Sequence, residues 1–124
     1  MSTLRLISTV FGTIFIGFGI NAVLRPSNAL TFFELYPPTE GTAEQSLVDA
    51  LLIVYGVRDV FMGLAIYATA FFGSRRALGW IVVAGSAVAF ADGAVCRAYA
   101  GRGEMNHWGY APVLTVVGTL LLLG

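Results

Sequence analysis

The chain has 124 residues and no net charge, with 57% apolar and 11% charged residues, against about 45–50% and about 25% in soluble domains. That balance selects the membrane class, leaves no basic surface for nucleic acid and allows a single domain over residues 1–124. Every cation is an arginine, and the lone cysteine, Cys96, excludes an internal disulfide.

The first apolar stretch predicts a membrane-spanning helix over about 4–24. Its length exceeds the ~7–15-residue core of a cleaved signal peptide, and Pro26 ends it because proline cannot continue a helix past its first turn. Gly12, Ile16 and Gly19 share one face, and small residues at this spacing let membrane helices approach closely. Asn21 is a polar residue inside the last turn.

The segment Pro26–Gln45 is too polar to span. Ser27 is positioned to cap a short interfacial helix with Ala29, Leu30, Phe32, Phe33 and Leu35 on its apolar side, stopped by Pro37-Pro38. It reads either as a lid with Glu34 pointing inward or as a solvated connector on the headgroups.

The second span, about 47–72, carries an arginine and an aspartate side by side at Gly56-Val57-Arg58-Asp59. A charge at the centre of a membrane helix costs about 2.5–3.5 kcal/mol even on the lenient insertion scale. The pair therefore has to face protein or water. Tyr55, Gly56, Asp59, Met62 and Gly63 form one stripe. Arg58 is rotated by about 100° from Asp59, which argues against their pairing with each other.

After a short turn at Gly73–Arg76 comes a third span, about 77–99, with Gly85, Ala89, Asp92, Gly93 and Cys96 on a small-residue stripe. The tight turn makes spans two and three antiparallel neighbours. Counting outward from it puts Arg58, Asp59 and Asp92 within about 3 Å of one depth, at 1.5 Å per residue. Two carboxylates and one guanidinium should then meet inside the membrane, with Arg58–Asp92 or Arg97–Asp92 as the ion pair. The fourth span is expected over about 108–124, with His107, the only histidine, at its mouth, Trp108 and Tyr110 in the interfacial belt, Pro112 in the first turn and Thr115 near the depth of Asp92. The fold class expected is all-α, a four-transmembrane-helix bundle with a short interfacial helix between spans one and two.

Four spans place both termini on one side with Arg5, Arg75 and Arg76; the other side carries Glu34, Glu40, Glu44, Asp49 and Glu104 with Arg25 and Arg102. Arginine bias makes the terminal side cytoplasmic, in an endomembrane such as the endoplasmic reticulum if the source is eukaryotic. Asp59 and Asp92 are the expected general acid and base, Arg58 the group that holds one carboxylate ionised, and His107 a proton carrier. Tyr55, Arg97, Asn21, Glu34 and Met62 are the expected substrate-binding residues. His107 with Met105 and Cys96 fits no metal-ligand spacing, and no phosphate-binding loop or nucleophile elbow is present, so neither metal nor cofactor is expected.

Gly56-Val57-Arg58-Asp59, a buried Asp92 and a His107 opening the last span resemble a family of small four-span membrane proteins of fungi and bacteria catalogued as a domain of unknown function. The likeness covers nearly the whole chain and implies the four-span architecture and the importance of Arg58, Asp59 and Asp92. In chemistry alone, without any shared motif, the buried carboxylates are similar to those of small fungal membrane cyclases that protonate terpenoid precursors.

The expected function is an integral membrane enzyme or binding protein for a lipophilic small molecule, of isomerase or cyclase type. The partners expected are the lipid bilayer, that lipophile and further copies of the chain as a homo-oligomer. Two alternatives use the same cluster: a proton-coupled or ion-conducting oligomer, and a structural subunit in which the charges only specify helix pairing. Against conduction, Phe71, Phe72, Ile81, Val82 and Leu120–Leu123 offer no relay through the terminal half of the spans.

Overall fold

A computed structural model describes residues 1–124. It is all-helical, in the order α1 (Thr3–Leu24), α2 (Pro26–Thr31), α3 (Ala43–Phe72), α4 (Arg75–Val95), a π-helical turn (Cys96–Ala100), α5 (Met105–Trp108) and α6 (Ala111–Leu123). Three helical stretches are long and apolar enough to cross a membrane: Thr3–Leu24, Ala43–Phe72 and Arg75–Ala100.

The long helices begin where short polar side chains satisfy otherwise unpaired amides. Ser2 accepts from the Arg5 amide at 3.3 Å, Thr42 from Gln45 at 3.2 Å and Ser74 from Ala77 at 3.0 Å. Gln45 returns the favour by accepting from Gly41 at 2.7 Å, much as in a capping box. Ser27 does not cap α2; Pro26 occupies the first turn and displaces that role, leaving Ser27 inside the helix.

Two antiparallel pairs make the body, α1 with α3 and α4 with α6. Glycine sets their spacing. A Cβ on Gly19 would lie 2.5 Å from the Gly56 carbonyl oxygen, and one on Gly56 would lie 2.5 Å from that of Gly19. Gly12 faces Gly63 two turns along, and Gly79 faces Gly118 in the second pair. Between the pairs, Phe15, Ile66, Leu78, Val82, Leu114 and Leu121 form the core. The outer surface is itself apolar, with Phe61, Phe72, Val54 and Leu6 exposed. That is the inversion expected of a bundle solvated by lipid.

At one end of the bundle an arginine closes each pair. Arg5 donates to the carbonyls of Thr69, Ala70 and Gly73 at 3.2, 2.6 and 3.3 Å, satisfying the last turn of α3. Arg75 does the same for α6, donating to Leu121 at 3.2 Å and Leu120 at 3.0 Å.

The C-terminal segment departs from expectation. Helix α6 has 13 residues, about 20 Å at 1.5 Å per residue, shorter than the ~30 Å hydrocarbon core. Its register on α4 is set by Arg75–Leu121, Gly79–Gly118, Ser86–Thr115 and Phe90–Trp108. Thr115 therefore lies beside Ser86 rather than at the depth of Asp92. Trp108 is no outer belt residue: its indole N–H donates to the Phe90 carbonyl at 2.9 Å, and the ring fills the space left by Gly93. Trp108, at the end of the α5 turn, meets α4 at Phe90, ten residues or about 15 Å below the end of the π-helical turn at Ala100.

Candidate functional site

Arg58, Asp59 and Asp92 meet at the α3–α4 seam. Asp59 lies on α3 about one turn from both Gly56 and Gly63, and its side chain is buried to 5% exposure. Asp92 comes from α4 at the same level. Arg58 Nη2 donates to Asp59 Oδ1 at 3.0 Å and to Asp92 Oδ2 at 3.2 Å, while its Nε donates to Asp59 Oδ1 at 3.2 Å. The guanidinium stands over the Tyr55 ring, 4.6 Å from its centre, a cation–π contact one turn earlier on the same helix.

Of the two ion pairs expected for Asp92, with Arg58 or with Arg97, the structure forms the one with Arg58. The Arg58–Asp59 contact corrects the expectation from helix rotation. The arginine stem is long enough to turn back across the roughly 100° between neighbouring positions, and the two-sided guanidinium bonds both acids at once.

The other expected residues fall into three places. His107 is buried under the C-terminal end of α2, its Nε2 3.1 Å from the Phe32 carbonyl oxygen and its ring 4.9 Å from that of Phe33, and it makes no contact with Arg58, Asp59 or Asp92. Met62 lines an apolar groove one turn below Asp59. Asn21, Glu34 and Arg97 stand outside the cluster. Asn21 donates to Asn28 at 3.0 Å, which ties α1 to α2. Glu34, held at a left-handed φ of 57°, meets Asn106 at 3.4 Å and Arg102 at 3.6 Å, and so links the two loops. Arg97 pairs with Glu104 at 3.0 Å instead of Asp92, because the π-helical turn points it outward. The Glu104 carboxyl is held below the usual carboxylate range, first by its own backbone amide and then by Arg97.

Two residues missed from the sequence complete the site. Tyr110 lines a small cavity with Tyr55 and His107, its ring centre 6.4 Å from that of His107. Phe33 packs edge-on to Tyr55, with ring centres 5.5 Å apart. Neither could be found by spacing, since both arrive on segments whose depth is set by tertiary packing.

Apolar grooves open above and below the cluster. The upper one, about 370 Å³, is lined by Leu30, Phe33, Leu35, Val48, Leu51, Leu52, Tyr55 and Val95. The lower one, about 110 Å³, is lined by Phe61, Met62, Ala65, Ile66, Ile81, Ala84, Gly85 and Val88. On α3 and on α4 the lining positions recur at three- and four-residue spacing with Arg58 and Asp92 between them. The charged triad lies between the two grooves.

The family model described as Domain of unknown function (DUF4267) matches residues 12–121, and the chain belongs to that family. No curated protein and no solved structure matches it.

Proposed function

We propose that this protein is a multi-pass membrane enzyme that takes a lipophilic small molecule from the bilayer into the α3–α4 seam and acts on it by acid–base chemistry. The observation that carries this reading is the position of Arg58, Asp59 and Asp92 between the two grooves. A substrate seated there would have hydrocarbon on both sides of a central carbonyl, hydroxyl or alkene.

One guanidinium faces two carboxylates, so the fully ionised cluster would carry a net negative charge in an apolar wall, which is costly. A proton shared by the two acids removes it. That proton is the acid delivered to the substrate, and the carboxylate kept ionised by Arg58 takes one back from a neighbouring carbon. Isomerisation and cyclisation both follow this pattern.

In this reading α6 makes a fourth crossing with help from the sunken α5 turn, and both termini lie in the cytoplasm on the side of Arg5, Arg75 and Arg76. The test is to compare lipid extracts of cells producing the native chain with those of cells producing Asp59→Asn at equal folded yield. The variant should lose the product, with a fall of at least ~10²-fold for a lost general acid or base. Identical extracts would overturn the proposal.

A further inference from the structure

Formally charged side chains line one cavity of the molecule and none of the others. It lies on the loop side, holds about 330 Å³ and is walled by Glu34, Leu35, Tyr36, Tyr99, Ala100 and Arg102. The acid and the base come from different loops and stand 3.6 Å apart, Glu34 Oε2 to Arg102 Nη2. That contact leaves most of the five guanidinium N–H donors free. Tyr36 and Tyr99 are 85% and 79% exposed, so neither ring is taken up by packing. Exposed tyrosines on a membrane protein favour the depth of the lipid headgroups.

The cavity adjoins the upper groove, since Leu35 walls both. Along α4 and its π-helical end the levels follow at three- and four-residue spacing: Asp92 in the cluster, Val95 in the groove, Tyr99 in the charged cavity. At about 1.5 Å per residue, Tyr99 stands about 10 Å from Asp92 along the axis. On α3 the groove walls run from Val48 to Tyr55, whose ring carries the Arg58 guanidinium. A polar head and a hydrocarbon chain therefore have adjoining places, and the chain's place leads to Arg58.

We propose that the charged cavity is the headgroup site of the substrate, and that the substrate is a zwitterionic amphiphile of the phosphocholine type. Arg102 donates to the phosphate, as guanidinium does wherever phosphate is held. The quaternary ammonium sits against the Glu34 carboxylate and the Tyr36 and Tyr99 rings, the pairing that aromatic side chains offer such cations. A single hydrocarbon chain lies along the upper groove, which brings an atom about 10 Å from the head to the cluster. An anionic head would meet Glu34 uncompensated, and an uncharged head would gain neither contact. The inference rests on the acid–base reading for what happens to the chain; headgroup selection is independent of turnover.

Native mass spectrometry of the full chain from maltoside micelles reads the selection directly. Three probes with the same acyl chain are offered together: lysophosphatidylcholine, lysophosphatidylglycerol and monoacylglycerol. The native protein should retain the first over each of the others by roughly tenfold, about what one partly desolvated cation–π contact gives. Glu34→Gln should shift the preference toward lysophosphatidylglycerol. Arg102→Gln should weaken both phosphate-bearing probes and spare monoacylglycerol. Leu51→Trp, at an exposed wall of the upper groove, should weaken all three alike and leave their order unchanged. Equal retention of the three by the native chain, or an order unmoved by both Glu34→Gln and Arg102→Gln, overturns the site. A native preference for the phosphocholine head in a protein whose Asp59→Asn variant keeps its product would sustain this site and sink the acid–base reading. Loss of product in Asp59→Asn with no headgroup preference would do the reverse.

Discussion

Arg58 holds together two acids from two helices, and its removal is informative because the acids are not equally exposed. Asp59 and Asp92 are 5% and 14% exposed at the side chain, Arg58 38%. Deleting one partner of a fully buried pair costs about 3–5 kcal/mol; with the guanidinium part-exposed, Arg58→Ala should cost about 2 kcal/mol, discounted for screening. Combining it with Asp92→Ala should recover part of that loss, since the second change removes the abandoned charge. Thermal unfolding in detergent of the two single variants and the double variant checks this; strictly additive losses would separate Arg58 from Asp92. The Arg58–Asp92 meeting was legible in the sequence because both residues are counted from the same tight turn at Gly73–Arg76. The Arg58–Asp59 contact was not, since helix rotation fixes where Cβ points and leaves a long side chain free to turn back.

At the level of elements, glycine decides which helices touch. Gly56 and Gly19 each leave room for the other's carbonyl oxygen at 2.5 Å from where a Cβ would stand, whereas nothing lies within 4 Å of that position on Gly17. Gly56→Ala should therefore destabilise by about 1–3 kcal/mol through overpacking. Gly17→Ala should be neutral or stabilising by up to about 1 kcal/mol, because alanine is the better helix former. Equal melting shifts for the two would mean that α1 and α3 are not in contact at Gly19–Gly56. Gly93→Ala tests another contact: its Cβ would strike the Trp108 indole. It should displace the α5 turn and change Trp108 fluorescence with little effect on the α1–α3 pair. The glycine stripes of α1 and α3 could be read from spacing alone. The Gly93–Trp108 fit could not, because spacing within α4 says nothing of how deep a later loop will sink.

For the whole molecule, the shortness of α6 organises everything on the loop side. Arg75 fixes the end of α6 beside the start of α4, and 13 residues then rise only about 20 Å. The chain must enter α6 from within the bundle. The sunken α5 turn brings His107 and Tyr110 toward the depth of Asp92, and α2 roofs them through the Phe32 carbonyl, which meets both Asn106 at 3.1 Å and His107 at 3.1 Å. A polar pocket so placed faces one side of the membrane only if α6 returns to the side of Ser74. Single cysteines at Arg76, Leu123 and Glu40, all exposed positions, in a Cys96→Ser background, read this directly. A membrane-impermeant maleimide added outside sealed, inverted vesicles should modify Arg76→Cys and Leu123→Cys alike and spare Glu40→Cys until detergent is added. If Leu123→Cys is instead modified with Glu40→Cys, α6 does not return to the Arg76 side, and the pocket is not confined to one face of the membrane.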